Sequence, residues 1–227
     1  MLGKYEIDII GHIYNDYKEK FGIPRQSGLA QSVVSKIIFE KEFSNKEFFK
    51  GLENFTHIWL LWQFSEALCK DIMPTVRPPK LGGNERIGVF ATRSPFRPNH
   101  IGLSSVKIEK IDYMENIGTV IYVSGADLMN GTPIIDIKPY LPYTDSHPDA
   151  SNGFALDDKT GQLIIECSAD VLSKIPQDKI NGLFETLKHD PRPSYQDDAN
   201  RIYGMSYGNM QVKFTVNNNQ LKIIDII

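Results

Sequence analysis

Cysteine is scarce in this chain, because Cys69 and Cys167 are the only two among 227 residues, and each lies in an otherwise mixed segment. So few thiols exclude a disulfide framework, and we expect a reduced protein of the cytoplasm. Long apolar runs are also missing, since no stretch approaches the ~18 residues that a membrane-spanning helix needs. Residues 1–13 alternate and carry charges, whereas a secretory signal needs a continuous apolar centre. The sequence therefore predicts neither a membrane span nor a secretory signal.

Several common catalytic motifs are absent as well. No GxGxxG loop follows a predicted strand and no Walker-type glycine–lysine loop occurs, which excludes the usual dinucleotide and P-loop folds. The five histidines are scattered, and none has a cysteine, histidine or carboxylate at the spacing of a metal site, so we expect no metal. A GxSxG elbow is also missing, which leaves a serine hydrolase without support.

The charge is unevenly distributed. A net charge of −3 argues against a protein that coats nucleic acid without specificity. Between residues 77 and 107, however, the sequence contains six basic residues and one acidic residue, Glu85, which gives a local charge of +5. A basic patch on an acidic body predicts a focused anionic ligand, and an RNA, a nucleotide or a phosphorylated metabolite would each fit. The six basic residues are Arg77, Lys80, Arg86, Arg93, Arg97 and Lys107.

Residues 88–106 contain the most informative turn of the sequence. An apolar, strand-like run over 88–92 leads into Arg93 and Arg97, and a second apolar run follows. Pro95 and Pro98 fix their own φ angles and favour extended residues before them, so both arginines lie on a stiff segment. Two planar, permanently charged groups in such a turn favour phosphate or carboxylate recognition. The alternative is a pair of surface arginines in a tight loop between strands.

Two further segments carry polar residues in unusual places. In residues 125–143, Asp127 follows a predicted strand and either holds a ligand hydroxyl or cation or caps an Asx turn. Asp136 interrupts the apolar run IIDIK, so it either pairs with Arg93 or Arg97 or faces a cleft. A structural ion pair and a catalytic role are both consistent with that position.

Proline also stiffens residues 189–198, where Asp190, Arg192 and Tyr195 lie. This segment is either a second binding loop or a braced connection to the last strands.

The order of elements predicts a mainly β protein. Many short strands with few helices are typical of a barrel or a sandwich, and the texture changes near residue 150. We expect a main domain over residues 1–148 and a smaller α+β domain over residues 149–227. Strands are predicted at 4–14, 33–39, 56–64, 104–113, 118–124, 133–137, 211–216 and 221–227, a short helix at 45–54, and one or two helices at 169–189.

Long stretches of the sequence resemble the TsaA/TrmO family. NERIGVFATRSPFRPNHIGLS is similar to the family's signature, DLMNGTPIIDIKPYLPY resembles its second block, and DPRPSYQDDANRIYGMSY resembles its bacterial carboxy-terminal extension. The resemblance implies a small closed β-barrel and a homodimer. It also implies an S-adenosylmethionine-dependent methyltransferase that acts on N6 of threonylcarbamoyl-adenosine at position 37 of tRNA.

The resemblance also assigns site residues. The methyl-donor contacts of the family fall on Arg25, Gln26, Arg93, Leu103, Asp127 and Leu128. The family usually has proline where His100 stands and aspartate where Asn130 stands. The first departure is expected to loosen the turn, and the second argues against a direct role for position 130.

These assignments imply a division of labour. Leu103 would form an apolar wall and Asp127 would bind polar groups of the donor, while Asp136 and Tyr140 are candidate proton acceptors, hence catalytic. Arg97 or Arg93 would hold a carboxylate, with the other substrate contacts on Lys80, Arg86, Arg192 and Tyr195. Two alternatives remain, a non-enzymatic RNA-binding module and a methyltransferase with another substrate.

Overall fold

Six strands in the first part of the chain close into a barrel. The computed structural model describes residues 3–68, 73–78, 81, 84–155, 162–192 and 198–227. The barrel strands are β1 (Gly11–Tyr14), β2 (Val34–Phe39), β3 (His57–Gln63), β6 (Ile101–Met114), β7 (Gly118–Ser124) and β8 (Pro133–Pro139). Their order around the barrel is β1-β2-β7-β6-β3-β8, and all neighbours are antiparallel. Between β3 and β6, β4 (Thr75–Val76) and β5 (Ile87–Gly88) form a two-stranded ribbon. The expected mainly β fold with a closed barrel is confirmed.

Strand β3 shows how the sequence builds the barrel wall. Ile58, Leu60 and Trp62 are buried, and the residues between them are partly exposed. Successive side chains of a strand point to opposite faces, so every second residue enters the barrel. A run that is almost wholly apolar in sequence therefore has an inner face and an outer face. The buried residues that share the interior include Ile13, Ile37, Val106, Ile121, Val123 and Ile134.

A smaller α+β unit follows the barrel. Its strands are β9 (Ile164–Cys167), β10 (Tyr203–Tyr207), β11 (Met210–Asn217) and β12 (Gln220–Ile226), and the short helix α1 (Pro142–Asp145) precedes them. Helices α2 (Ala169–Leu172) and α3 (Ile180–Lys188) lie between β9 and β10. The sheet order is β10-β11-β12-β9, with β9 parallel to β12. None of the helices within the described ranges is long and apolar enough to cross a membrane.

The core of the second unit includes residues from before β2. Tyr17, Ala30 and Val33 are buried in one cluster with Leu183, Phe214 and other residues of the C-terminal sheet and helices. They belong to residues 15–33, here called the connector, which join β1 to β2. The connector thus packs against the C-terminal unit although it lies within the predicted first domain.

Several predicted elements differ from those observed. The helix predicted at 45–54 is replaced by two 3-10 turns, Lys46–Phe49 and Leu52–Asn54, because Gly51 between them has φ 91°. The first strand covers only Gly11–Tyr14 of the predicted 4–14, since pairing to β2 and β8 begins at Gly11. The strand-like run at 88–92 forms a 3-10 turn over Val89–Ala91.

Candidate active site

Asp127 lies beyond the end of β7 and is held by a chain of side-chain hydrogen bonds. Ser104 Oγ donates to Asp127 Oδ1 at 2.5 Å, and Trp62 Nε1 donates to Ser104 Oγ at 3.0 Å. Trp62 and Ser104 are both buried inside the barrel, with exposed fractions of 7% and 1%. The barrel interior therefore fixes the direction of the Asp127 carboxylate.

Burial raises the pKa of Asp127, because removal of water disfavours the charged form. The hydrogen bond from Ser104, main-chain N–H groups of Asp127 and Ser27, and the positive charge of Arg93 act in the opposite direction. The carboxylate is thus poorly hydrated and close to a cation. Such a group binds an incoming amino or hydroxyl donor more strongly than a carboxylate in bulk water does.

The connector approaches Asp127 closely at Gly28. Gly28 N donates to Gly125 O at 2.8 Å, and a Cβ added to Gly125 would lie 3.1 Å from Gly28 Cα. Gly125 has φ 76°, a conformation that glycine adopts without strain. Gly125 therefore allows the chain to leave β7 and lets the connector pack against the same turn.

Two residues of the connector contact other parts of the chain: Gln26 contacts residues 92–100, here called the arginine turn, and Arg25 contacts the C-terminal unit. Arg93 Nη1 donates to Gln26 Oε1, and Arg25 Nη2 donates to the main-chain oxygen of Arg192 at 2.9 Å. A hydrogen bond links Arg93 to Gln26 and the charge of Arg93 acts on Asp127, with Arg25 next to Gln26 in the connector. We call these four residues the donor cluster.

The turn over residues 92–100 is closed rather than loose. Arg97 Nη1 donates to Thr92 O at 3.1 Å, and Arg97 O accepts from His100 N at 3.1 Å. His100 has φ 49°, which a proline could not adopt, and its Nδ1 lies 2.8 Å from Pro95 O. The expectation that His100 loosens the turn is therefore wrong, because its side chain braces it.

Leu103 lies on the other face of β6. Strand alternation buries Ser104 and leaves Leu103 55% exposed on the outside of the barrel. Leu103 is paired with Leu61 of β3, which is paired in turn with Asp136 of β8. These three residues form a row across the outer surface, so Leu103 and Asp136 are about 10 Å apart, two strand spacings.

The two candidate proton acceptors belong to the outer surface. Lys138 Nζ lies 3.0 Å from Asp136 Oδ2, so the partner of Asp136 is this lysine and not the predicted Arg93 or Arg97. The Tyr140 ring packs against Trp59, with centroids 5.3 Å apart. We call Leu103, Asp136 and Tyr140 the outer group. Leu103 faces away from the barrel interior, whereas the neighbouring Ser104 faces into it and holds Asp127.

The remaining predicted residues lie in different surroundings. Leu128 is buried in the barrel core, and its main-chain oxygen accepts from Asn15 Nδ2 at 2.9 Å, so its contact to a ligand would run through the backbone. Arg86 is exposed on the ribbon, with Nε donating to Thr75 Oγ1 at 2.9 Å. Lys80 and Tyr195 lie outside the described residues.

Arg192 is turned inward. The residue is 8% exposed, and its side chain makes two hydrogen bonds of 2.9 Å to the Asp190 carboxylate. Asn130 also has a structural partner, since its Oδ1 accepts from Asn15 N at 3.0 Å. That contact agrees with the expectation of no direct role for position 130.

Sequence reasoning missed two residues of the site, Trp62 and Ser104. Trp62 belongs to the barrel core and also supplies the hydrogen bond that orients Ser104. The signal was a serine in the middle of an apolar strand, IGLSSV, where a buried hydroxyl needs a partner. Within the described residues, no group of three or more histidines, cysteines or carboxylates could hold a metal ion.

Comparison with known proteins places the chain in a family. The family model described as the tRNA-methyltransferase O N-terminal domain matches residues 12–146, and the TrmO C-terminal domain matches residues 168–227. A tRNA (adenine(37)-N6)-methyltransferase of Escherichia coli is 36% identical over 224 residues, which cover 95% of this chain and 94% of that protein.

Two comparisons with Pseudomonas aeruginosa proteins agree. A putative S-adenosylmethionine-dependent methyltransferase is 38% identical over 216 residues, covering 92% of this chain and 91% of that protein. The crystal structure of TrmO from this organism superimposes with a TM-score of 0.81 at 31% identity, covering 100% of this chain and 98% of that one. The chain belongs to the tRNA-methyltransferase O family.

Proposed function

We propose that this chain transfers a methyl group from S-adenosylmethionine to N6 of threonylcarbamoyl-adenosine at position 37 of tRNA. Family membership supports an S-adenosylmethionine-dependent tRNA methyltransferase, and the relatives named for their activity modify adenine 37. The observation that carries the proposal is the donor cluster, in which a dehydrated, oriented Asp127 carboxylate lies beside Arg93 and Gln26.

The chemistry of the donor cluster fits S-adenosylmethionine. The guanidinium groups of Arg25 and Arg93 suit a carboxylate, the Asp127 carboxylate accepts from amino or hydroxyl groups, and the Gln26 amide both donates and accepts. Leu128 would contribute its main chain. When bound, S-adenosylmethionine supplies an electrophilic methyl group on a sulfonium, and the chain's residues must orient it and exclude water.

The outer group is assigned to the acceptor side of the reaction. The acceptor nitrogen is urea-like and weakly basic, so a neighbouring group has to take its proton as the new bond forms. Asp136 and Tyr140 are the proposed proton acceptors, and Leu103 the apolar wall next to the methyl group. Leu103 and Asp136 share one row, which supports their acting on one substrate.

A cytoplasmic homodimer is part of the proposal. Leu103 faces outward from β6 whereas Ser104, which holds Asp127, faces inward, and a second subunit is a simple way to bring the outer group to a donor cluster. Exposed apolar side chains near the arginine turn and on the outer row support association, since Phe90, Phe96 and Leu103 are exposed by 79%, 47% and 55%. Sedimentation of the purified chain tests this point, and a monomer at micromolar concentration would contradict it.

The tRNA contacts follow from charge and exposure. Arg86 on the ribbon, and Lys80 from the sequence alone, are proposed to contact phosphates, which fix the orientation of the RNA. Arg97 is proposed to hold the threonyl carboxylate of the modified base, an anion that only previously modified tRNA presents. Tyr195 and Arg192 are assigned to RNA binding from the sequence. Because Arg192 is buried, it is better placed to support neighbouring residues than to contact RNA directly.

Substitution of Arg97 by alanine is expected to raise KM for tRNA by roughly 10- to 100-fold, because a charge-assisted hydrogen bond contributes about 1.5–3 kcal/mol. The affinity for S-adenosylmethionine should change less than about two-fold, since Arg97 bonds within its own turn and not to the donor cluster. Steady-state kinetics and calorimetry measure the two effects. The control Lys110→Ala removes a positive charge six residues along β6 from Ser104 and should change neither value. Equal losses of both affinities in Arg97→Ala would contradict this division.

Isotope-labelled donor and total tRNA from cells that lack this gene provide the decisive test of function. We expect label in the threonylcarbamoyl nucleoside and none in tRNA from cells that cannot make that modification. Label in tRNA that lacks the threonylcarbamoyl group would support methyltransferase activity but contradict the proposed substrate. A chain that binds tRNA but shows no thermal shift with S-adenosylmethionine would be the non-enzymatic RNA-binding module.

A further inference from the structure

The connector, residues 15–33, carries two members of the donor cluster but contains neither helix nor strand. Its main-chain groups therefore cannot satisfy one another in a regular ladder and must find partners elsewhere. The barrel supplies a few of them, because Asn15 N bonds to Asn130 and Gly28 N bonds to Gly125 O. Between these two points, Arg25 and Gln26 are left without a barrel strand to position them.

The C-terminal unit supplies contacts on both sides of that gap. His189 Nε2 donates to the main-chain oxygen of Leu29 at 2.9 Å, three residues after Gln26. On the other side, Arg25 Nη2 donates to the main-chain oxygen of Arg192 at 2.9 Å. The end of helix α3 and the turn that follows it thus bond to residues flanking Gln26.

Further contacts fix the ends of the connector on the same unit. Glu185 of α3 accepts from Ser32 N at 2.7 Å and from Ser32 Oγ at 2.8 Å. The hydroxyls of Tyr17 and Thr186 are hydrogen-bonded at 3.2 Å in the buried core. Helix α3 therefore holds the connector through hydrogen bonds at several points along its length.

The turn after α3 is itself rigid. Asp190 has φ 44°, a left-handed conformation that costs a non-glycine residue roughly 1–2 kcal/mol. The same residue holds Arg192 by two side-chain hydrogen bonds of 2.9 Å, and its Oδ1 also accepts from Arg192 N at 3.2 Å. These contacts fix the Arg192 carbonyl that receives the Arg25 guanidinium. The buried Arg192 side chain thus acts through Arg25.

We propose that the C-terminal unit is part of the methyl-donor site, with His189 and the Asp190–Arg192 pair as positioning residues for the connector. They hold Arg25 and Leu29 so that Gln26 lies against Arg93 and Ser27 N–H points to Asp127. The inference rests on the proposed function only in taking Arg25 and Gln26 as donor contacts. It assigns the C-terminal unit a role in donor affinity that is separate from any contact with tRNA.

Two substitutions of His189 in the full-length protein test the proposal. His189→Phe keeps a planar ring and removes the N–H donor, whereas His189→Gln keeps a donor at a similar reach. We expect calorimetry to show S-adenosylmethionine binding weakened by roughly three- to ten-fold in His189→Phe, the worth of one hydrogen bond. His189→Gln should bind within about two-fold of the wild type. KM for tRNA, and kcat at saturating donor, should be unchanged in both.

A control separates positioning from general stability. Lys174→Ala removes a 2.6 Å contact to Asp225 inside the C-terminal unit, without touching the connector, and should leave donor affinity unchanged. Unchanged donor affinity in a folded His189→Phe would overturn the inference and leave the proposed function intact. A wild-type protein that does not bind S-adenosylmethionine would overturn both.

A second variant covers the case in which His189→Phe does not fold. Glu185→Gln keeps the shape of the exposed contact to Ser32 and removes its charge. We expect it to weaken donor binding by roughly two- to three-fold with little change in tRNA KM. A donor affinity equal to that of the wild type would contradict the proposal that α3 positions the connector.

Discussion

Substitution of Asp127 by asparagine is expected to lower kcat/KM for S-adenosylmethionine by roughly 10- to 100-fold while the protein remains folded. The amide still accepts from Ser104 Oγ, so the fold keeps its hydrogen bond. It no longer offers a charged acceptor to the donor's polar groups, and a hydrogen bond to a charged group is worth about 1.5–3 kcal/mol. Steady-state kinetics with saturating tRNA measures the loss, and full activity of the variant would remove Asp127 from the donor site.

The difference in stability between the wild type and Asp127→Asn is expected to depend on pH. Because burial raises the pKa of Asp127, the folded state binds a proton at this carboxyl more readily than the unfolded state does. Its contribution to stability is therefore complete below the unfolded pKa of about 3.9 and is lost as pH rises through the raised folded value. The free energy of unfolding of the wild type, relative to Asp127→Asn, should increase as pH falls from 7 towards 4. Urea denaturation across this range measures it.

Asp225→Asn is the matched control for that pH series. The hydrogen bond and charge of Lys174 lower the pKa of Asp225, so this carboxylate stabilises the fold above its unfolded pKa and loses that effect on acidification. The difference between the wild type and Asp225→Asn should therefore stay nearly constant from pH 7 to about 5 and shrink only as pH falls through the unfolded pKa of about 3.9, with methyl transfer unchanged. Parallel pH curves for the two variants would contradict the opposite pKa shifts.

Most of the barrel could be predicted from sequence because its strands alternate or are bounded by turn residues. Strand β7 was predicted with its observed limits, and β3 within one residue at each end. Strands β9 and β10 were missed. Strand β9 is short and pairs with the distant β12, and β10 contains Gly204 and Ser206, which are poor strand formers on their own. Pairing to a neighbour, and not local propensity, forms these two strands.

The site was predictable as segments but not as contacts. The proline-stiffened arginine turn and the aspartate after β7 each carry a local signal, and the structure brings Arg93 near Asp127. The bonds that orient and position them join residues far apart in sequence, such as Trp62 with Ser104 and Leu29 with His189. Spacing along one chain contains no information on such pairs. The opposite faces of Leu103 and Ser104, by contrast, follow from strand alternation, which was not applied to Leu103 because the predicted strand begins at Ser104.

Substitution of Gly102 by alanine is expected to damage both the barrel core and the donor site. Gly102 is paired with Trp62 across β6 and β3, and an added Cβ would lie 2.2–2.6 Å from three atoms of the indole ring. The ring is buried and packs against Phe64 with centroids 4.2 Å apart, so it cannot move freely. Forcing a methyl group into such a core costs about 1–3 kcal/mol of unfolding free energy. Urea denaturation measures it.

Displacement of the indole also has a consequence for binding. The Trp62 Nε1 hydrogen bond orients Ser104, which in turn orients Asp127, so a shifted ring should weaken S-adenosylmethionine binding at temperatures where the variant is folded. Gly204→Ala is the control, because Gly204 also lies in a strand and an added Cβ would meet nothing within 4 Å. It should retain stability and donor affinity. Wild-type stability in Gly102→Ala would contradict the packing of Trp62 over that glycine.

A double-mutant cycle separates the two effects of Gly102→Ala. If the loss of donor affinity passes through Asp127, then Gly102→Ala should weaken binding much less in an Asp127→Asn background than in the wild type. The loss of stability comes from the indole ring itself and should be nearly the same in both backgrounds. Additive losses of affinity would mean that the displaced tryptophan disturbs the donor cluster by another route, through the strand and not through Ser104.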